Sequence, residues 1–468
     1  MEADLNRGSV FRRALSFGLP LALGMASHAA FNLIDLGIVG ELGEDAVGGV
    51  HAAGTINFFP MILGNGLSVG ATALVSQQIG AGKRNAAHRS ANLALLLTVL
   101  LGVLLGVLFY VLAGPICAAL RLEGEQLRIG IEYLEVMSLG TITMYLVMHV
   151  TGMLRAIGNA FWPVLILFGS NLLNIGLDYA LIWGDPLLVE WGLPALGVPA
   201  LGAVGAAWAS VISRLLGALF GFWICLRGST AVRPGLPLPR RLLLRLRFLM
   251  SLGVPQSAQM FVRASLILTM TWIANVSGGP SANAALGICT RLDSFLLFAG
   301  LGWASAATAM VGQAMGAQDR ARCRRIALVL GLLAAAMAAF LALAYLLAPE
   351  FLLGLFLDAP SEELLRFGTE YLLVAAIAHP AAAASIVLAG AMNGAGRSFL
   401  PMLLDVVAIG LVAQPLFWIW WQSQQPGGLA GAWSIVVLGN VLLLLLYLIV
   451  VLRGRMLPDK LAEPLPGR

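Results

Sequence analysis

The sequence predicts an all-α polytopic membrane protein, with twelve transmembrane helices in two six-helix bundles related by a parallel internal repeat. Three observations predict it. Of 468 residues, 59% are hydrophobic and 11% charged, whereas a soluble domain carries roughly 25% charged residues. The apolar residues gather into runs long enough to cross a bilayer, each needing about 20 residues. The same short motifs then occur in the same order in both halves.

Taken along the chain, apolar segments fall at 14–38, 46–72, 91–114, 131–153, 161–184, 202–226, 248–275, 282–312, 326–348, 367–392, 399–421 and 429–452. Breakers separate them, such as Gly80-Ala81-Gly82-Lys83 and Gln424-Gln425-Pro426-Gly427-Gly428. Residues 1–13 are short and mixed in charge, and the following run lacks a small-residue cleavage site, so it reads as a retained first helix. The segment 227–247 is basic and holds Pro234, Pro237 and Pro239, which marks a linker. The domain expectation is therefore an N-terminal lobe over 1–226, a basic cytoplasmic linker over 227–247 and a C-terminal lobe over 248–468.

The loops give orientation. Alternate loops, counted from the N-terminus, carry Arg12 and Arg13, then Lys83 and Arg84, Arg155, the 227–247 arginines, Arg320 to Arg325, Arg397 and Arg453. The intervening loops are acidic, with Glu41, Glu44, Glu123, Asp185, Glu350 and Glu362. Basic loops stay in the cytoplasm, so both termini are expected there, in an inner membrane of bacterial type. This bias accounts for the net charge of +5 without a nucleic-acid partner.

The repeat is the most informative feature. Ala71-Thr72-Ala73, Gln77 and Gly80-Ala81 return as Ala307-Thr308-Ala309, Gln313 and Gly316-Ala317. Ser16-Phe17-Gly18-Leu19-Pro20 matches Ser251-Leu252-Gly253-Val254-Pro255, and Gly158 to Pro163 matches Gly396 to Pro401. Ala206-Ala207-Trp208 echoes Gly431-Ala432-Trp433. Chance composition scatters Ala/Gly matches; it does not order them at a nearly constant offset. Six spans per half makes the repeats parallel, with a solute path between them and alternating access by rocking.

Enzyme chemistry is not signalled. Cys117, Cys225, Cys289 and Cys323 show no metal spacing and read as packing residues. There is no P-loop, HExxH or nucleophile elbow, so no cofactor is expected and an ion gradient is the remaining energy source.

These residues resemble the multidrug and toxic compound extrusion (MATE) family over the whole chain. The resemblance rests on Pro20, Asp35-Leu36-Gly37-Ile38-Val39-Gly40-Glu41, Gln77 with Gly80-Ala81, Leu154 to Asn159, and Asn174-Ile175-Gly176-Leu177-Asp178, in order. It implies a V-shaped pair of six-helix bundles that exports drugs or metabolites in exchange for H⁺ or Na⁺. It implies a small-molecule substrate, a lipid bilayer around the protein and a monomer. The runner-up is a lipid-linked precursor flippase of the same superfamily.

Charges at membrane depth each need a reason. Asp35 lies in the first span and Pro20, fifteen residues before it, weakens that helix. Asn174 and Asp178 lie one turn apart on one face of span five. With Ser210 they are candidates to line one cavity, and in similar MATE proteins the matching positions form the cation or proton site. The competing reading makes both acids helix-end caps at the water interface. Pro20 is either a hinge or a tolerated kink. In the second half, Met270 and Leu416 stand where Asp35 and Asp178 would be, and Arg263 stands eight residues after Pro255, where one MATE branch carries Glu. The chain looks more similar to the DinF-like branch than to the NorM-like one. Arg263, Arg291 and Asp293 are candidates for a substrate cavity, with an Arg263–Asp293 pair expected between spans seven and eight, as a structural bridge or a cavity-lining charge. His28, His149 and His379 read as packing residues ahead of proton relays.

Overall fold

The computed structural model describes residues 5–6, 8–190, 192, 197–227, 235, 242–356, 361–423 and 429–458. Most of the expected linker, 228–234 and 236–241, lies outside the described residues.

In hydrocarbon no water pairs with the backbone, so apolar runs of this length must close their hydrogen bonds internally as helices. The helices are α1 (Val10–Gly40), α2 (Asp45–Gly80), α3 (Arg84–Ala119), α5 (Phe161–Trp183) and α6 (Ala203–Arg227). Gly124–Leu139 and Thr141–Ala156 form one span, α4, bent by 43° at Gly140. Leu242–Gly316 is interrupted at Gly279, whose φ of 69° and ψ of −163° break the helix just before Pro280. That break separates α7 (242–278) from α8 (280–316). Then come α9 (Arg320–Leu347), α10 (Glu362–Gly394), α11 (Phe399–Gln422) and α12 (Ala430–Leu452). Among the described residues this makes twelve spans, in the order expected from the apolar runs.

The chain divides into two compact units. One takes Ser27–Val75 and Arg84–Gly253, the other Ala3–Ala26, Ser76–Lys83 and Val254–Arg468. Within the first, α5 packs along α6 and α3 along α4; within the second, α10 packs along both α9 and α12.

The repeated motifs are turns and close crossings. After α4, Ile157, Gly158 and Asn159 donate to the carbonyls of Met153, Arg155 and Leu154; after α10, Ala395, Gly396 and Arg397 donate to Ala391, Asn393 and Met392 in the same pattern. Gly158 and Gly396 have φ of 84° and 83°, the left-handed region that a Cβ disfavours. The turns after α2 and α8 match likewise, with Gly82 at φ 71° and Gln318 at 63°.

Two π-helical stretches interrupt the spans. Ala14–Gly18 precedes Pro20 in α1, and Val406–Ala413 precedes Pro415 in α11. A proline has no N–H for the carbonyl one turn back, and a widened turn is one way a helix absorbs that misfit. The weakening expected at Pro20 is thus a local change of helix type, and α1 continues through it.

Candidate functional site

In the first unit, α1 and α5 face each other through polar pairs. His28 Nδ1 lies 3.2 Å from Asn171 Oδ1. Seven residues further along both helices, the Asp35 and Asp178 side chains meet. Seven residues are two helical turns, so both pairs lie on the same helix faces. Beside the His28–Asn171 pair the Phe31 ring packs edge-on against Phe168 at 5.6 Å.

Asp178 is fully buried and accepts a hydrogen bond from Asn174 Nδ2 at 3.2 Å, across the helix face that their one-turn spacing shares. Asp35 Oδ1 and Asp178 Oδ2 are buried and receive no hydrogen bond among the described residues. Neither acid is a cap. Asp178 lies inside α5, and Asp35 lies toward the C-terminal end of α1, where the helix dipole disfavours a carboxylate. The capping alternative therefore fails on geometry.

A third charge completes the cluster. Arg214 on α6 acts electrostatically on Asp35, His28 and Tyr133, and Tyr133 on α4 also faces Asp35 and Asp178. If both acids are ionised, two negative charges face one guanidinium. One monovalent cation or one proton balances the difference, and the unpartnered carboxylate oxygens are the atoms positioned to receive it. Sequence reasoning left Arg214 unassigned. The available signal was a lone arginine in the middle of an apolar span. Ser210, one turn before Arg214 on α6, is buried, and among the described residues no hydrogen bond joins its hydroxyl to the acids. Pro20 belongs to the other unit.

The second unit corrects one expected pair. Arg263 does not meet Asp293. Its partner is Asp405 on α11: Nε donates to Oδ2 at 2.5 Å and Nη2 to Oδ1 at 3.3 Å. Tyr447 Oη donates to the same Oδ1 at 2.7 Å, and Gln259 donates to Tyr447 at 2.9 Å. Asp405 is fully buried, and a buried carboxylate is tolerable only when its charge and lone pairs are met. The pair forms because α7 packs on α11, a neighbour that periodicity does not reveal. Farther along the same interface, Thr269 donates to Gln414 at 2.7 Å and Gln414 donates to Ser265 at 3.2 Å. Asp293 instead meets Tyr345, Tyr371 and His379, and Arg291 is exposed. The three candidates for a substrate cavity thus fall in separate places. Of the histidines, His149 is buried, while His28 and His379 are polar partners rather than packing residues.

The family model for MatE matches this chain twice, over residues 20–180 and 255–419. The chain belongs to the MatE family. The two matches begin at Pro20 and Pro255, the positions that open the repeat in the sequence. Relatives of this MatE chain include the "Probable multidrug resistance protein NorM" of Rhizobium meliloti, 26% identical over 94% of this chain and 92% of that protein. The "Probable multidrug resistance protein YpnP" of Bacillus subtilis is 24% identical over 89% and 90%. Among solved structures, an outward-facing multidrug resistance MATE transporter superposes with a TM-score of 0.84 at 22% identity, covering 97% of both chains. A MOP superfamily transporter from Pyrococcus furiosus, described as having a binding pocket of reverse polarity, gives 0.84 at 22% identity over 97% and 96%. These MatE likenesses establish a membrane transporter, not an enzyme.

Proposed function

We propose that this protein is a secondary antiporter that exports drugs or small metabolites in exchange for H⁺ or Na⁺, with ion coupling at Asp35, Asn174 and Asp178. One observation carries the reading: two facing acids with unpartnered buried oxygens and one guanidinium nearby, a cluster that lacks one positive charge when both acids are ionised. An ion that enters this cluster changes the electrostatics of the α1–α5–α6 core, which is how occupancy at one site biases a transporter between two states. Pro20 with its π-turn is the element of α1 suited to yield, and Ser210 is a reserve oxygen on α6. The coupling acids lie in the first repeat only, with Met270 and Leu416 at the matching places, which supports a DinF-like mode over one centred on the second repeat. The names of the relatives speak for NorM and YpnP, so the mode is proposed from the residues alone.

The protein acts in this reading as a monomer in the bacterial inner membrane, with both termini in the cytoplasm, since the basic loops fall on that side. The flippase alternative is not favoured: the full-length relatives are named as multidrug resistance proteins. Transport of a fluorescent organic cation in vesicles, driven separately by an imposed pH gradient and an imposed Na⁺ gradient, tests the reading. Export under one gradient that is lost in Asp35→Asn supports it; export indifferent to both gradients overturns it.

A further inference from the structure

The second unit contains an acid that the Asp35–Asp178 cluster leaves unused. On α8, Asp293 Oδ1 accepts from Tyr345 Oη at 3.1 Å and lies 2.8 Å from His379 Nε2, while Oδ2 accepts from Tyr371 Oη at 2.5 Å. Two tyrosine donors and one imidazole nitrogen from two other helices converge on one carboxylate. The titratable groups facing Asp293 are Cys289 on its own helix, Tyr345 on α9, and Tyr371 and His379 on α10. Among the described residues no Lys or Arg pairs with it, and Arg291 on the same helix is exposed. The side chains of Asp293 and His379 keep 17% and 15% of their surface. A cleft beside them is lined by Tyr371, His379, Trp433 and Asn440, and the Trp433 ring meets Tyr371 edge-on at 5.3 Å.

Taken as the anion, Asp293 accepts from both tyrosine hydroxyls. A carboxylate at membrane depth then needs a counter-charge, and the tyrosines supply hydrogen bonds but no charge. Imidazole is the group whose ordinary titration spans physiological pH. Because Nε2 faces the carboxylate, neutral His379 must carry its hydrogen there and leave the lone pair on Nδ1.

We propose that His379 and Asp293 form a proton-binding site in the second unit, distinct from the Asp35–Asp178 cluster. A proton from water adds to Nδ1 of His379. Nε2–H keeps its bond to Asp293, and the imidazolium–carboxylate pair is neutral overall. The site deprotonates by the reverse step through the Tyr371–Trp433 cleft. Proton binding stands on this geometry alone; a role for it in exchange rests on the antiport reading above.

Proton uptake by the purified full-length protein, titrated in unbuffered detergent solution, tests it. His379→Gln and Asp293→Asn are expected each to lose the same single proton, and the double variant to lose no more than either alone. Tyr345→Phe, which removes one hydrogen-bond donor and no titrating group, keeps the proton but moves its midpoint, and serves if Asp293→Asn does not fold. An uptake curve unchanged in His379→Gln overturns the proposal, as do losses that add in the double variant. The outcome is separable from the antiport reading, because Asp35→Asn leaves this proton in place and vesicle exchange is measured independently.

Discussion

His28 and Arg263 occupy the same position of the two repeats. Each stands eight residues beyond a proline, Pro20 and Pro255, and each bonds to the fifth helix of its own half, His28 to Asn171 and Arg263 to Asp405. Duplication kept the contact between first and fifth helices and changed its chemistry. The first half has a neutral polar pair there and puts its acids two turns away. The second half places its ion pair at that point, and an apolar Met270 stands at the place of Asp35.

The Arg263–Asp405 pair is expected to be structural. Arg263→Met leaves Asp405 buried without its counter-charge and should cost about 3 kcal/mol, at the low end for a buried pair because Arg263 is partly exposed. Arg263→Met with Asp405→Leu should recover most of that loss. Thermal unfolding of the two single variants and the double in detergent measures the coupling; additive losses would remove the pair from the stability of this unit.

At the Asp35–Asp178 cluster, each Asn variant removes one negative charge and leaves a site that Arg214 neutralises by itself. Asp35→Asn and Asp178→Asn are both expected to abolish ion-driven export while leaving expression and substrate binding intact. Binding of the fluorescent cation to detergent-solubilised protein, set against vesicle export, separates the two effects. Loss of binding equal to the loss of export would instead make the acids substrate ligands.

Gly80 and Gly316 pack reciprocally. A Cβ at Gly80 would lie 1.9 Å from the carbonyl oxygen of Gln313, and one at Gly316 would lie 1.9 Å from that of Gln77. Backbone cannot yield as a flexible side chain does, so Gly80→Val and Gly316→Val should each destabilise by about 1–3 kcal/mol. A lowered unfolding temperature in both, against an unchanged one in Gly37→Val, where nothing lies nearby, is the expected pattern.

The matched turns predict substitutions of opposite sign. Gly158→Ala and Gly396→Ala force a Cβ into the left-handed region and should cost about 1–2 kcal/mol each. Gln318 already bears that strain at φ 63°, so Gln318→Gly should leave stability unchanged or raise it by up to about 1 kcal/mol. Unfolding midpoints of the three variants check the signs.

The sequence by itself determined the twelve spans, the repeat and the shared helix face of Asn174 and Asp178. Apolar length, turn glycines and one-turn spacing are local properties, and in lipid the backbone has no alternative to the helix. It also placed Asp35 and Asp178 among the acids requiring an explanation. Only the tertiary structure decided partners. Arg263 met Asp405 rather than Asp293, Arg214 joined the acid cluster, and Asp293 found His379 and two tyrosines. A buried charge must be answered by whatever helix packs against it. Which helix that is depends on the three-dimensional packing of spans distant in the chain, such as α7 and α11, where Arg263 and Asp405 are separated by 142 in sequence number. No period within a single span records that packing.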